Sequence, residues 1–522
     1  MTSTVRATLL AALAMAAASC GGGSSSPPTV PPPPPPPAGP NVAPAWTSAA
    51  AVTVQENASG VAYLATATDP DTAVLTYTLG GTDAALFSMN ALTHEIRFNT
   101  PPDFEAPADN GANNVYNLTL QVSDAIAAPV ALNVAITVSN VNPGFRVRRV
   151  ASGLNQPIFV AGLPDNTGRI AVVERGGTIR ILNGSTGDPS ANFLAITGVD
   201  QTGEKGLLTI AFSNNYLSDR TFYVHMNPNS ANTSEIRQYK APAAPDVADP
   251  SSANPILVLN QTSATNHKGG FFATDPQNRL LIGFGDGGNT PAAAQDVNSL
   301  FGKILRIDPT LDAFPADASR DYSIPLGNAF ATGGGAPEIL AIGVRNPFRG
   351  SIDRVSNSIF IGDVGETSIE EVDRIALDQA GNPVPNFGWA CREGTQPLNG
   401  CADSTAFTRP VAEYSHGAGP TQGNTITGGV VYRGPIEDLQ GQYIFADFGS
   451  NNFWSIPVAN LLTASTGGST IASTSFTNRN AAFTPDTGVG SMASVVAVGT
   501  DQDGNVYFVD IGGEVFRLEP LP

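Results

Sequence analysis

Residues 505–519 read "NVYFVDIGGEVFRLE", an apolar strand, a turn rich in glycine, and a second apolar strand. Five other segments share this plan: "RIAVVERGGTIRIL" (169–182), "TFYVHMNPNSANTSEIRQY" (221–239), "RLLIGFGDGG" with "GKILRID" (279–308), "SIFIGDVGETSIEEVDRI" (358–375) and "QYIFADFGSNNFWSI" (442–456). A repeated strand–turn–strand unit is typical of radial β architectures, so six units predict a six-bladed β-propeller over residues 145–522. The strand "FRVRRVA" (145–151) is expected to complete the last blade and close the ring.

The composition also favours an all-β chain. The 522 residues include 54 Gly and 42 Pro, and only 14% are charged, which favours short strands and many turns over long helices. Lys and Arg total 26 against 45 Asp and Glu, a net charge of −19. This charge argues against nucleic acid as a partner, whereas calcium suits an acidic surface.

The first residues predict export. Arg6 precedes the apolar run "LLAALAMAAAS" (9–19), which is too short to span a bilayer and leads to Cys20. Residues 1–19 resemble a bacterial lipoprotein signal peptide, which implies a lipid anchor on Cys20, at the periplasmic face of the outer membrane or the cell surface. An ordinary secretory signal is the alternative. Residues 20–43, rich in Gly, Ser and Pro, are interpreted as a linker.

Residues 44–142 show strands such as "YNLTLQVSD" (116–124) and "LNVAITVSN" (132–140), and predict an N-terminal β-sandwich. The acidic residues between the strands follow the order found in cadherin repeats, so the region resembles a cadherin-like domain. The resemblance implies calcium ligands, and carboxylate oxygens are suitable ones. The alternative is that the acids only cap turns. The implied ligands are Glu56, Asp69, Asp71, Asp103, Glu105 and Asp124, with Asn140 and Asn142 closing the segment.

The chemically unusual residues of the predicted propeller lie between its strands. They include "GEKGLL" (203–208), "NHKGG" (266–270), "GDGG" (285–288), "GVRNPFR" (343–349), "GDVGETSIEEVDRI" (362–375), "NFGWACREG" (386–394) and "EYSH" (413–416). Together they resemble the glucose/sorbosone dehydrogenase family, soluble aldose dehydrogenases that use pyrroloquinoline quinone (PQQ) on a six-bladed propeller, and especially its hedgehog-interacting-protein-like branch. The resemblance covers about residues 145–520. It implies a PQQ- and calcium-dependent dehydrogenase that oxidises an aldose sugar or a related polyol and passes electrons to an acceptor that the sequence does not identify.

Oxidation of a sugar at its anomeric carbon needs a base for the hydroxyl proton, a hydride acceptor and positive charge near the quinone oxygen. The resemblance implies that His267 is the base and that Asp286 orients it. It also implies that Arg345 and Asn346 contact the quinone, where a guanidinium offers both charge and directed donors. A histidine in a glycine-rich turn can instead be structural, and Arg345 can instead belong to an ion pair between blades.

Three further positions are implied by the same resemblance. Glu204 stands where relatives have a glutamine that contacts the quinone. The backbone carbonyls of Gly365 and Glu366 correspond to those that bind the cofactor's calcium. The carboxylates of "EEVDRI" (370–375) are interpreted as strand residues that join blades, with the family's structural calcium as their alternative use. His416 has no assigned role.

Departures from the family pattern favour a second function. The last blade, "GVGSMASVVAVGTDQDGNVYFV" (488–509), has no basic residue where quinone-binding relatives have arginines, and "ADFGSNNFW" (446–454) lacks a lysine. Arg433 and Arg479 are candidate replacements. The alternative is therefore a non-catalytic, calcium-dependent lipoprotein that binds carbohydrate or protein. A lactone hydrolase is a third hypothesis, which the "NHKGG" and "RNP" loops fit poorly.

Two cysteines remain besides Cys20. Cys391 and Cys401 flank a loop containing Gly and Pro in "WACREGTQPLNGCAD" (389–403). In an oxidising compartment this spacing predicts a disulfide that holds the loop. A zinc site would need further ligands nearby.

Overall fold

The computed structural model describes residues 39–71, 74–104, 106–139, 144–187, 189–242, 247–379, 383–398, 406–486 and 488–521. The chain divides into two compact units, Met1–Val141 and Asn142–Pro522. Described α-helices are limited to α1 (Tyr216–Asp219) and α2 (Val458–Gly467), so the prediction of a nearly all-β chain is confirmed. None of the helices in the described part of the chain is long and apolar enough to cross a membrane. The predicted signal peptide, Cys20 and most of the predicted linker lie outside the described residues.

The first unit consists of short strands around one apolar core. Its strands are β1 (Ala45–Trp46), β2 (Ala51–Gln55), β3 (Tyr63–Leu64), β4 (Ala67–Thr68), β5 (Thr76–Gly80), β6 (Phe87–Met89), β7 (Glu95–Phe98), β8 (Val115–Ser123) and β9 (Val130–Ser139). They form a four-stranded sheet β2-β9-β8-β5, a three-stranded sheet β3-β7-β6 and the pair β1-β4. Alternate residues of β8, from Tyr116 to Val122, are buried, as expected for a strand with one face toward a core. The cadherin-like character of this unit stays a prediction.

The predicted calcium ligands that the structure describes in this unit accept hydrogen bonds from backbone amides. Glu56 accepts a hydrogen bond from the Phe104 amide, and Asp124 accepts from the Ile126 and Ala127 amides. Across the described ranges, these acids do not bring three ligand atoms close enough to share an ion. Glu105, Asn140 and Asn142 lie outside those ranges, so calcium binding here stays a prediction.

The second unit contains six antiparallel blades. It begins with β10 (Phe145–Ala151). Blade 1 contains β11 (Pro157–Gly162), β12 (Arg169–Glu174), β13 (Thr178–Asn183) and β14 (Pro189–Ala195). Blade 2 contains β15 (Leu207–Phe212), β16 (Thr221–Met226), β17 (Thr233–Lys240) and β18 (Asn254–Asn260). Blade 3 contains β19 (Phe272–Thr274), β20 (Leu280–Phe284), β21 (Lys303–Ile307) and β22 (Ile339–Ile342).

The remaining three blades carry longer connections. The next strands are β23 (Pro347–Asp353), β24 (Ser358–Asp363), β25 (Ile369–Ala376), β26 (Arg392–Glu393), β27 (Gln396–Pro397), β28 (Ala412–Ser415), β29 (Ile426–Val431), β30 (Gln442–Asp447) and β31 (Phe453–Pro457). The last are β32 (Ile471–Ala472), β33 (Thr477–Asn478), β34 (Val495–Thr500), β35 (Val506–Asp510) and β36 (Glu514–Pro520). Blade 4 is β23-β24-β25-β28-β32, blade 5 is β29-β30-β31-β33, and blade 6 is β10-β36-β35-β34, while β26 and β27 form a separate pair.

The blades close into a ring. The first strands β11, β15, β19, β23, β29 and β34 each contact the next, and β34 contacts β11 again. The amino-terminal β10 pairs with β36 from Phe145↔Pro520 to Ala151↔Val515, which confirms the prediction that residues 145–151 complete the last blade. Second strands such as β20 and β35 are buried along their whole length, because neighbouring blades cover both of their faces. In a ring of six, blades 1 and 4 face each other across the axis.

Candidate active site

Predicted site residues gather at one mouth of the propeller. In each blade the start of the first strand and the end of the second lie at the same edge, since the two strands are antiparallel. The connections at that edge carry Glu204 before β15, His267 before β19, Asp286 after β20, Arg345 and Asn346 before β23, and Gly365 and Glu366 after β24.

His267 and Asp286 form a buried pair. The His267 Nδ1 atom lies 2.7 Å from Asp286 Oδ1, and the two residues are 7% and 2% exposed. The other carboxylate oxygen accepts a hydrogen bond from Trp389 Nε1 at 2.8 Å. Burial raises the pKa of Asp286, but its hydrogen bonds with His267, Gly288 and Trp389 lower it by more, so the pKa lies below its ordinary value. An ionised carboxylate only accepts, so Nδ1 carries the proton and Nε2 of a neutral imidazole carries the lone pair.

The backbone of His267 is held in an uncommon conformation. Its φ angle is 54°, in the left-handed region that a non-glycine residue rarely adopts. Gly285 makes this possible, because a β-carbon there would lie 2.6 Å from the His267 carbonyl oxygen. The glycines that follow the histidine and precede the aspartate therefore let two loops approach closely. Strain of this kind is concentrated at functional sites.

Glu204 lies between the histidine loop and the Arg345–Asn346 loop. Its Oε2 accepts from the His267 amide at 2.7 Å and from Asn346 Nδ2 at 3.2 Å, while Asn346 Oδ1 accepts from the Gly269 amide. The carboxylate predicted to face the cofactor is thus occupied with protein donors. The structure brings the predicted cofactor residues Glu204, Asn346 and His267 into one hydrogen-bonded frame.

Arg345 is anchored from behind by Asp363. The Asp363 carboxylate accepts from the backbone amides of Arg345 and Asn346 at 2.8 and 2.7 Å. Burial raises the pKa of Asp363 to about 7, although these amides oppose the shift. The guanidinium donates through Nη1 to the Val364 carbonyl and lies 5.3 Å from the Trp389 ring. Its Nε is buried and has no hydrogen-bond partner in the described part of the chain, so it has a donor left for a ligand.

The turn that contains Gly365 and Glu366 is built around Glu393. One oxygen of Glu393 accepts from four successive backbone amides, those of residues 366 to 369, at 2.6 to 3.1 Å. Burial raises the pKa of Glu393, but these amides lower it by more, so the carboxylate is ionised. Glu393 therefore fixes the backbone of the turn, and among the described residues no donor reaches the Gly365 and Glu366 carbonyls. This is the arrangement that the predicted calcium ligands require.

Three buried carboxylates lie directly behind this turn. Asp363 and Glu371 are paired across β24 and β25, Asp373 follows on the same face, and each offers an oxygen within 4.8 Å of the others. Within the described ranges, neither oxygen of Asp373 has a hydrogen-bond partner. Burial, reinforced by mutual repulsion, holds the pKa values of Glu371 and Asp373 well above their ordinary range. The group has the hard oxygen ligands that calcium prefers, as the alternative use of "EEVDRI" requires.

The other histidines take different places. His416 lies at the same mouth and its Nε2 is 2.7 Å from Glu370, whose second oxygen accepts from the Ile426 amide. His225 is fully buried against Phe284, and His94 packs on Tyr77 in the first unit. Only His267 and His416 therefore belong to the mouth.

The predicted replacement cations do not reach the mouth. Arg433 follows β29 at the opposite end of that strand and forms a two-point ion pair with Asp353 at 2.7 and 3.0 Å. Arg479 donates to Ser455. Cys401, the predicted partner of Cys391, lies outside the described residues, so the disulfide stays a prediction.

Sequence reasoning missed Trp389, Asp363 and Glu393. Each acts through another residue that is distant along the chain, such as the 103 residues between Trp389 and Asp286. The only available signal was indirect: Trp389 and Glu393 lie in "NFGWACREG", a loop noted for its unusual residues but given no partner.

Comparison with known proteins decides the family. The model of the glucose/sorbosone dehydrogenase family matches residues 154–509, well over half of the chain. The chain belongs to the glucose/sorbosone dehydrogenase family. HIPL1 protein of Arabidopsis thaliana is 27% identical over 69% of this chain and 58% of its own length. Human Hedgehog-interacting protein is 26% identical over 59% of this chain and 43% of its own length. The chain thus spans about half the length of these relatives.

Other members of the family are aldose dehydrogenases. The aldose sugar dehydrogenase YliI of Escherichia coli is 25% identical over 50% of this chain and 63% of its own length. The structure of a PQQ-bound aldose sugar dehydrogenase from Streptomyces coelicolor superposes with a TM-score of 0.54 at 24% identity, covering 72% of this chain and 98% of that one. The apo-form E. coli aldose sugar dehydrogenase gives 0.54 at 19% identity, covering 72% of this chain and 100% of that one. These superpositions confirm the propeller fold.

Proposed function

We propose that this glucose/sorbosone dehydrogenase family member is an exported, PQQ- and calcium-dependent dehydrogenase that oxidises an aldose sugar or a related polyol. The observation that carries the proposal is the His267–Asp286 pair. Its Nδ1 is fixed by an ionised carboxylate, which is the one hydrogen bond that the His267 ring makes among the described residues, so Nε2 has no partner there. A buried imidazole held in this way is a base with one accepting atom and a fixed direction.

The residues at the mouth fit the cofactor and its calcium. Arg345 has a buried donor without a protein partner among the described residues, and Glu393 fixes the turn whose Gly365 and Glu366 carbonyls accept no hydrogen bond from those residues. Glu204, the residue that departs from the family pattern, directs one carboxylate oxygen at the donors of His267 and Asn346. When bound, PQQ supplies an ortho-quinone that accepts the hydride from the sugar carbon, with calcium polarising the quinone oxygen.

The protein's own part in the reaction is proton transfer and positioning. His267 Nε2 takes the proton of the substrate hydroxyl, and Asp286 stabilises the imidazolium that forms. Trp389 holds the second Asp286 oxygen, so the carboxylate cannot rotate away from the histidine. Arg345 places positive charge where negative charge develops. The sugar substrate, the unidentified electron acceptor and the lipid anchor at Cys20 complete the proposal and rest on the sequence.

Reconstitution of the full-length chain tests this function. The purified protein with calcium and PQQ is offered a panel of aldoses and polyols, with a reducible dye as the acceptor. We expect turnover that requires both additions and is abolished in His267→Ala. His94→Ala in the first unit is the matched control and retains the activity of the unchanged protein. Calorimetry that detects no PQQ binding at micromolar concentration in the presence of calcium would refute the proposal.

A second candidate is a calcium-dependent binding protein. It is favoured by the absence of basic residues in 488–509 and by the family's Hedgehog-interacting proteins, named for a protein partner. Such a protein would recognise carbohydrate or protein at the same mouth without turnover. A glycan array probed with and without calcium tests the carbohydrate version, and a blank array together with PQQ-dependent turnover rejects it.

A further inference from the structure

Arg349 crosses the centre of the propeller. It lies on β23 of blade 4 and is 2% exposed. Its Nη2 donates to the Ile158 carbonyl of blade 1 at 2.8 Å, and its Nη1 donates to the Gly270 carbonyl beside blade 3 at 3.2 Å. Because blades 1 and 4 face each other across the axis, a side chain that joins their innermost strands must lie on that axis.

The neighbouring blades make room for this side chain. A β-carbon at Gly270 would lie 2.7 Å from Arg349 Nη1, and one at Gly428 of blade 5 would lie 2.6 Å from the Arg349 carbonyl oxygen. The guanidinium carbon is 5.1 Å from the Phe159 ring and 4.4 Å from the Phe348 ring. Gly270 and two aromatic rings therefore enclose the planar cation, a geometry that suits arginine and not lysine, while Gly428 makes room for the Arg349 backbone.

Arg349 also separates two spaces. A cavity of about 550 Å³ opens at the mouth opposite His267 and is lined by the innermost strands of all six blades. Phe159 and Gly350, which line this cavity, are next to Ile158 and Arg349. On the other side, Gly270 is three residues from His267. The lining residues Phe159 and Gly350 are therefore chain neighbours of the bonded pair Ile158 and Arg349, and the candidate active site lies on the other side of that pair.

We propose that Arg349 is a positioning residue that closes the axial passage between the two mouths and fixes the loop that carries His267. The closure keeps water in the opposite cavity from entering the active site through the axis, so the site opens at one mouth only. The fixed Gly270 carbonyl holds the end of the histidine loop, while Glu204 holds its start. The consequence for catalysis rests on the proposed dehydrogenase function, whereas the closure itself does not.

Hydrogen exchange of the full-length protein without quinone tests the closure. In Arg349→Met, the backbone amides of residues 266–274 and 156–162 should exchange about tenfold faster or more. The reason is that the charge-assisted hydrogen bonds from Arg349 to the Gly270 and Ile158 carbonyls are lost. Exchange in β35 of blade 6 should stay unchanged. Arg354→Met, an exposed arginine just beyond the same strand, is the matched control and should exchange like the unchanged protein.

Two further variants separate the positioning effect of Arg349 from the effect of its positive charge and from a general folding defect. Arg349→Lys keeps the charge but cannot span both carbonyls, so fast exchange should persist in 266–274. Gly270→Ala should also speed exchange locally, because a β-carbon there meets the Phe348 carbonyl oxygen at 2.6 Å and Arg349 Nη1 at 2.7 Å; Arg349→Lys alone decides the matter if Arg349→Met does not fold. In the reconstituted enzyme, Arg349→Lys should lower kcat by about tenfold and change KM by no more than about twofold. The reason is that the variant displaces the base, His267, but not the residues that contact the sugar.

Each result has one consequence. The inference is overturned if residues 266–274 exchange in Arg349→Lys and Arg349→Met as they do in the unchanged protein. It is also overturned if exchange is accelerated equally in all six blades. If the unchanged protein neither binds PQQ nor turns over sugar, the proposed function fails, but local acceleration of exchange still supports the closure. A loss of kcat without any change in exchange contradicts the positioning role.

Discussion

Replacing Asp286 by asparagine should move the ring proton of His267 from Nδ1 to Nε2. The size of the side chain at position 286 is kept. In the native protein the carboxylate faces three donors: the ring Nδ1 of His267, the Gly288 amide and Trp389 Nε1. An asparagine offers one acceptor oxygen and one NH₂ group. If the NH₂ group faces Trp389, two donors meet. If it faces His267, it also meets the Gly288 amide, which bonds the same oxygen in the native protein; Nδ1 must then accept, and the proton moves to Nε2, the atom proposed as the base.

The size of the effect follows from what is lost. A general base contributes about 10²- to 10⁴-fold to a reaction rate, so Asp286→Asn should lower kcat by that range. Folding should lose about 1.5–3 kcal/mol for the missing charge-assisted hydrogen bond. PQQ affinity should change by less than about threefold, because the side-chain hydrogen bonds of Arg345 and Glu393 do not include the Asp286 carboxylate, and asparagine keeps the backbone amide that donates to the Arg345 carbonyl.

The assay compares dye-linked kcat with PQQ affinity from calorimetry. Asp275→Asn is the matched control: it replaces a fully buried carboxylate in the same blade that bonds Arg279 instead of a histidine, so it should lower stability and not kcat. Trp389→Phe added to Asp286→Asn removes the donor that opposes the productive amide orientation, and the double variant should recover part of the activity. A kcat within about threefold of the unchanged enzyme in Asp286→Asn refutes the reasoning, as does a double variant less active than the single one.

Three other perturbations have defined outcomes. Burial, assisted by the charge of Arg349, lowers the pKa of His225 from 6.5 to about 3. Between the two pKa values the folded chain therefore binds fewer protons than the unfolded chain. The contribution of neutral His225 to the free energy of unfolding is complete above pH 6.5 and is lost toward pH 3, at about 1.36 kcal/mol for each pH unit. His225→Phe should reduce the pH dependence of the free energy of unfolding between these two pKa values. An unchanged pH dependence contradicts the lowered pKa of His225. Glu393→Ala, which leaves four backbone amides without their acceptor, should cost about 3 kcal/mol by urea unfolding and weaken calcium binding, whereas Glu437→Ala, which removes an exposed acid beyond the other end of β29, should leave calcium affinity unchanged. Glu204→Gln keeps an acceptor and should retain kcat within about threefold, while Glu204→Ala should lose about tenfold; equal losses in both variants point to charge instead of hydrogen bonding.

The fold of the second unit was predictable because its signal is local. In the sequence, each blade is marked by two apolar strands around a glycine-rich turn. Strands that neighbouring blades cover on both faces appear in the sequence as continuous apolar runs. The closing strand 145–151 could be recognised because a ring needs a partner for its last strand. In the first unit, the predicted strands 116–124 and 132–140 are present as β8 and β9.

The site was predictable only as far as its motifs carry their own chemistry. His267 and Asp286 were paired by motif, and they lie 2.7 Å apart. The use of the Glu204 carboxylate was not predictable, because its orientation depends on donors 63 and 142 residues away. The axial position of Arg349 was hidden for the same reason, since its partner Ile158 lies 191 residues away. A sequence motif fixes which groups are present, whereas the stacking of blades fixes where their free atoms point.

The arrangement around His267 also weighs the two candidate functions against each other. A propeller that only binds at its mouth has no need for a buried histidine in a left-handed conformation, held at its amide by Glu204 and at its ring by Asp286. Such a conformation costs about 1–3 kcal/mol and persists only where the surrounding contacts enforce it. Here they do enforce it, through Gly285 and through contacts from blades 2, 3 and 4. Because all of these contacts leave Nε2 free, the strain has a use in proton transfer and none in adhesion, which favours the dehydrogenase.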